Sequence, residues 1–472
     1  MILTEYSIKN NINNLKVNKA NQQNLNRVSY PDDRFVLSFN GYQEALVYAK
    51  KSKFKNRLLN KKLCNLNFEK YEGIQRGLKT FEELSLKQIA FALTDLHSIN
   101  LITGCKNHCL HCYANAQPFI KQYPFEDLVQ ICNDIKELKN RLGVSPTYHH
   151  SLSYTDCSYD SDALDCHLFD KNGNKHDFVE IAKLMKENLG TTPVFDTNGW
   201  KRKDKEKQKI AEEYVEKLLK DNNYKNFYQI NISINPFRPE YVRVLKSGYS
   251  LDELYQPIRK VGDEFEQEEA LLSDDYKKYR DLYTDYVKDV ANTLITFKPL
   301  LKTKKLQTII RALDNNIEEM EGFRINDFRE TLKHIMQELH LRSFCGLLNK
   351  TDLKEFQKIL SKYNTRIFIA SGRMEKFYKH KNPNGLKNIK RIDPEKKLAE
   401  SNYERIKTNR KLSAGFMRYL KMISADGRLY LYDNYSIIPT DIKLNLSTKE
   451  IKSPFKIPVK DFVITEDMID LI

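Results

Sequence analysis

One segment of the chain combines residue types and spacing suited to chemistry: Gly104-Cys105-Lys106-Asn107-His108-Cys109-Leu110-His111-Cys112-Tyr113. It contains a Cys-x3-Cys-x2-Cys triplet. The chain has 8 cysteines in 472 residues, and scattering them at random gives about 0.002 such triplets. Chance does not explain the segment. Three thiolates this close can converge on one soft metal centre. Zinc commonly takes four protein ligands in two paired Cys or His sets. No second pair follows at zinc-finger spacing, although His108 or His111 could contribute. A [4Fe–4S] cubane normally takes four thiolates, so three leave one iron open for substrate chemistry.

Such residues need elements that position them. From residue 98 onward, short β-rich runs alternate with amphipathic helical patterns, the mark of parallel β/α units. A helix at 84–93 precedes the series. Strand 98–103 leads through the cysteine loop into helix 125–142, and strand 147–153 leads into helix 177–189. Strand 193–196 passes through Thr197-Asn198-Gly199 into helix 205–220. Strand 227–234 precedes a long charged helical stretch at 251–301. Strand 306–312 precedes helices 326–341 and 353–363, and strand 366–370 closes the series. Six strands with intervening helices suit a right-handed wound sheet, either open or an incomplete barrel. Beyond it, 416–424, an Asp426-Gly427 turn and 428–435 read as a hairpin. Chemistry in such folds sits at the carboxyl ends of the strands. Residues 105–112, 155–157, 197–199, 233–235, 314–316 and 371–373 would therefore share one rim.

Cys105, Cys109 and Cys112 match the Cys-x3-Cys-x-aromatic-Cys signature of the radical S-adenosylmethionine (radical SAM) superfamily, which this chain resembles. His111 occupies the usually aromatic position and Tyr113 follows the motif. The family places this loop after the first strand of a partial barrel. The resemblance thus implies an α/β fold: a partial (β/α)6 TIM-like barrel at 96–375, an N-terminal extension at 1–95 and a basic C-terminal α+β segment at 376–472. The implied cofactors are a [4Fe–4S] cluster on the three cysteines and S-adenosyl-L-methionine on the open iron. The implied reaction is reductive cleavage of S-adenosyl-L-methionine to methionine and a 5′-deoxyadenosyl radical, which abstracts hydrogen from a substrate. The protein's part is to hold the reactants close and keep water and oxygen out. A reducing partner of flavodoxin or ferredoxin type is implied as well.

Other family positions carry over to a cofactor-binding set of His111, Tyr113, Asp156, Asn198, Ser233 and Arg238. The family usually has Gly-Gly-Glu after its second strand. This chain has Ser153-Tyr154-Thr155-Asp156-Cys157, which lacks the glycines and offers Asp156 as acceptor for the methionine amino group. Thr197-Asn198-Gly199 looks like the Thr-Asn-Gly often found after the third strand, and equally like a plain turn. Ser233 looks like the polar residue, at the end of the fourth strand, that contacts ribose or the methionine carboxylate. Arg238 is a planar, always-charged group suited to a carboxylate, or an ordinary surface arginine. Cys157 and Cys166 could ligate a second cluster or donate a hydrogen atom. Cys64, Cys132 and Cys345 read as buried small apolar residues. Tyr276, Tyr279, Tyr283 and Tyr286 recur at helical spacing, which reads as a packed helix face.

The partner question rests on charge. The chain carries 78 Lys and Arg against 63 Asp and Glu, a net +15. Residues 376–421 hold 14 basic residues and four acids, and so supply +10 of that total. A solvated surface and lysine drift in an AT-rich coding sequence account for such a window; steering towards a polyanion or acidic peptide is the alternative. No run approaches the ~18 apolar residues of a membrane span. The start has no apolar run of a signal peptide, so a cytoplasmic chain with reduced cysteines is the expectation. A peptide or protein is the first expectation for the substrate. An RNA-modifying enzyme that uses residues 376–421 is the enzymatic alternative. A zinc or iron–sulfur binding module without turnover is the non-enzymatic one.

Overall fold

The structure is a computed structural model. It describes residues 26–29, 35–38, 72–93, 96–107, 109, 121–141, 161–235, 241, 243–244, 247–255, 272–313, 325–368, 420–424, 426–432 and 437–447. In chain order, β1 (Asn26–Ser29) and β2 (Phe35–Ser38) form an antiparallel pair within the N-terminal extension. Helix α1 (Leu86–Leu93) leads to β3 (Leu96–Ile99) and β4 (Ile102–Thr103). The single strand expected at 98–103 is therefore two. The Asn100 amide donates to the Ile423 carbonyl at 2.8 Å, and past Leu101 the chain pairs with β5 (Lys121–Gln122) instead. The antiparallel β4–β5 pair brings together the two ends of the cysteine loop. Helix α2 (Phe125–Arg141) follows, and β6 (His167–Phe169) and β7 (Lys175–Asp177) make a short hairpin.

The next units hold the core. Helix α3 (Phe178–Leu189) starts because the Asp177 carboxylate accepts from the amides of Val179 and Glu180, satisfying orphan donors of the first turn. It stops at Gly190, whose φ of 70° is the left-handed cap conformation. Phe178, Ile181, Ala182, Met185 and Leu189 give it one buried stripe. Then come β8 (Phe195–Thr197), α4 (Lys205–Leu219) and β9 (Ile230–Ile234). Phe195 packs its ring among Phe178, Phe227, Tyr214 and Phe297, with centroids 5.6–6.0 Å away. This aromatic cluster seats α3 and α4 on the sheet.

The helix expected at 251–301 is not continuous. It is a single turn α5 (Leu251–Leu254), then α6 (Asp274–Thr296), then a 3-10 turn (Lys298–Thr303) with Pro at its start. Pro lacks the amide a continuing helix would need. Strand β10 (Leu306–Leu313), α7 (Ile325–Phe344), α8 (Lys350–Ser361) and β11 (Asn364–Phe368) complete the series. On α6, Tyr283 and Tyr286 are buried, and Tyr283 Oη lies 2.9 Å from His334 Nδ1 of α7. The tyrosine stripe there is a packed face.

Strands β8 to β11 form a four-stranded parallel sheet in the order β11-β10-β9-β8. The C-terminal strands β12 (Leu420–Ile423), β13 (Arg428–Tyr432) and β14 (Ile437–Lys443) form a second sheet in the order β14-β13-β12-β3. The expected hairpin is present as β12–β13, and a further strand extends it. Its β12 pairs in parallel with β3, so residues 420–443 are joined to the strand that leads into the cysteine loop. The architecture is mixed α/β. Among the described residues no sheet closes into a barrel: β3 and β8–β11 belong to different sheets. The strand expected at 147–153 lies outside the described residues. No helix among them is long and apolar enough to cross a membrane.

Candidate functional site

The sequence of β9 sets the geometry. Ile230, Ile232 and Ile234 alternate with Asn231, Ser233 and Asn235, so the strand and its end have one apolar and one polar face. Asn231 is fully buried, and neither its Nδ2 nor its Oδ1 has a hydrogen-bond partner. Ser233 Oγ donates to Asp196 Oδ1 of β8 at 2.8 Å. At the carboxyl end, Asn235 Nδ2 lies 3.1 Å from the Asn198 Oδ1 past β8 and 3.1 Å from Cys109 Sγ. Cys109 is buried at 7% exposure. Cys109 therefore lies against the carboxyl ends of two adjacent parallel strands.

A second set of bonds ties the loop down. Asn107, between the first two cysteines, donates its backbone amide to Cys105 Sγ at 3.4 Å and its Nδ2 to Asp162 Oδ2 at 2.8 Å. Asp162 Oδ2 also accepts from the Asn198 amide at 2.9 Å, and Asp162 Oδ1 accepts from Thr197 Oγ1 at 2.8 Å. Lys207 of α4 pairs with Asp165 at 3.2 Å. Burial works against the Lys207 charge, but Asp162, Asp165 and the nearby Cys105 outweigh it and raise its pKa. Burial pushes the Asp165 carboxyl up against the pull of Lys207. A half-buried cation thus stands beside the loop that carries Cys105.

A narrow cavity opens at the same end, lined by Asn198, Trp200, Ser233, Asn235, Tyr286 and Asp289, among others. Asp289 is held by Arg202 Nε at 3.0 Å and Tyr241 Oη at 2.8 Å. Gly199, at φ +67°, lets the chain turn against Thr293 of α6.

Of the residues singled out from sequence, Cys105, Cys109, Asn198 and Ser233 converge on this end. Cys112, His111, Tyr113, Asp156 and Arg238 lie outside the described residues, as do Cys157, Cys64 and the bulk of 376–421. Among the described residues no group of three His, Cys, Asp or Glu is placed to hold a metal. Cys166 is fully buried, and desolvation raises its thiol pKa far above the usual value. A thiol held protonated is a packing residue rather than a ready ligand. Cys132 is buried too, its thiol pushed up to about 12. Cys345 corrects the expectation of burial: it is exposed, just past the end of α7.

The residues that sequence reasoning passed over are Asp162, Asn107 and Lys207. Their one local signal is Asp162-Ala163-Leu164-Asp165, a capping pattern that forms a 3-10 turn with the Leu164 amide on Asp162 Oδ1 at 3.0 Å. No family model, curated protein or solved structure matches this chain.

Proposed function

We propose that the chain is a radical SAM enzyme, with the sheet β8–β11 one arc of a partial (β/α)6 barrel and its carboxyl end the active rim. The observation that carries this reading is the hydrogen bond between Asn235 and Cys109, because it sets a cysteine of the triplet against the strand-end residues Asn198 and Asn235. The residues present fit the cofactors. The donor set is three soft thiolates, suited to iron–sulfur ligation. The face beneath Ser233 and Asn235 carries a buried, unpaired amide on Asn231. Polar groups left over on an inner strand face favour a polar ligand.

Cys105, Cys109 and Cys112 would hold a [4Fe–4S] cluster, and Asn198 and Ser233 would contact S-adenosyl-L-methionine. Bound together these groups supply reductive carbon–sulfur cleavage and hydrogen abstraction. The chain's own work is positional. Asn235 donates to the Cys109 sulfur and so holds that side chain at the rim. Lys207 places fixed positive charge near Cys105, offsetting the negative charge of the ligand loop. Burial of Cys109 and the packing of Trp200 and Tyr286 around the cavity keep bulk water from the rim. A peptide or protein is the proposed substrate, and a flavodoxin- or ferredoxin-type protein the proposed reductant.

Anaerobic reconstitution with iron and sulfide tests this. About four irons per chain, with the absorption and paramagnetic resonance of a [4Fe–4S] cluster, is the result expected. Iron near zero with co-purifying zinc would overturn the reading.

A further inference from the structure

We propose that Asp162 is a positioning residue that locks the cysteine loop to the strand-end rim, a role that serves the proposed cofactor chemistry and rests on that reading for its purpose. The geometry is unusual for one side chain. Asp162 is 1% exposed and its two oxygens take four donors from three separate parts of the chain. Oδ1 accepts from the Leu164 amide and from Thr197 Oγ1. Oδ2 accepts from Asn107 Nδ2 and from the Asn198 amide. Asn107 lies between Cys105 and Cys109, while Thr197 and Asn198 end β8 and begin the rim. One carboxylate therefore spans the two halves that must meet.

Charge-assisted bonds of this kind are short and among the strong ones. The buried donors, the Leu164 amide and the Thr197 hydroxyl, would be costly to leave unpaired. Alanine at this position removes all four contacts at once, the one to Asn107 included. In Asp162→Asn, by contrast, the amide can turn its oxygen towards Asn107 and Asn198 while the Thr197 hydroxyl turns to accept from the NH2 group, so the tether survives. Asp162→Ala therefore releases the loop, while the fold around it stays packed by the apolar cluster of α3, α4 and β8.

The test uses the metal-free full-length chain and iodoacetamide, with alkylation of each cysteine followed by peptide mass spectrometry. Cys132, fully buried on α2, is the internal control. The expected result is that Asp162→Ala raises the alkylation rate of Cys109 by about tenfold or more, the scale of a lost charged hydrogen bond. Cys132 stays as slow as in the wild type, and Asn107→Ala reproduces the increase at Cys109. A Cys109 rate unchanged in Asp162→Ala would overturn the proposal. So would a rise at Cys109 matched by Cys132, which reports general loosening rather than release of the loop. The iron reconstitution above reads the other question. A wild type that binds no iron, in a chain where Asp162 still guards Cys109, sinks the enzyme reading and leaves the strut standing.

Discussion

Replacing Gly199 with alanine probes the turn that sets Asn198 at the rim. Gly199 sits at φ +67°, where a β-carbon costs about 1–2 kcal/mol. The new methyl would also press on Thr293 of α6, with Cγ2 only 3.0 Å away and Oγ1 nearer still. Thr293 Oγ1 donates to the Asp289 carbonyl at 3.0 Å, so turning it aside forfeits a bond of about 1 kcal/mol. The two costs sum to about 2–3 kcal/mol. Urea unfolding reads this as a midpoint shift at constant slope. The double variant Gly199→Ala/Thr293→Ala removes the clash and keeps the backbone strain, so relative to Thr293→Ala it should show only the first cost. A loss below about 0.5 kcal/mol in Gly199→Ala, the range of an ordinary surface change, would mean that the turn tolerates a β-carbon and carries neither cost. Full recovery in the double variant would refute the backbone cost.

Two further outcomes follow from local electrostatics and capping. Burial lowers the pKa of Lys139, on α2, from 10.5 to about 7, with Cys132 opposing. The unfolded chain therefore binds more protons between about pH 7 and 10.5. Stability should rise with pH across that window, with the full cost of charging the amine borne below about pH 7. Lys139→Met should lose this rise, and identical pH profiles for the two proteins would contradict it. Asp177→Ala removes the cap of α3 and the ion pair with Lys217; a loss of about 1–2 kcal/mol in thermal or urea unfolding is expected, and no loss would show that the cap contributes nothing.

The helices were legible because their signals are local. Asp177 and Gly190 mark the two ends of α3, and Asp204 caps α4 through the Lys207 amide. Strand β9 was legible from its Ile/Asn/Ser alternation, and β10 and β11 from short β-branched runs. The β6–β7 hairpin was not, because its strands are three residues long and show no periodic pattern. The pairing of β12 with β3 was also hidden. It joins residues more than 300 apart in sequence, and nothing in either segment specifies the other. At the site, the cysteines and Asn198 stood out by spacing and motif. Asp162 did not, because its role comes from partners 35 and 55 residues away. A buried polar hub is defined by what the fold brings to it.

The proposed union of the Cys105–Cys112 loop with the ends of β8 and β9 in one reductive S-adenosyl-L-methionine site is open to direct test. The most direct measurement incubates the anaerobically reconstituted, dithionite-reduced protein with S-adenosyl-L-methionine and quantifies 5′-deoxyadenosine by chromatography. The wild type should yield 5′-deoxyadenosine, and Cys109→Ala none above background. Product formed at the same rate by Cys109→Ala, or no product from a wild type that carries its cluster, would contradict the proposed site.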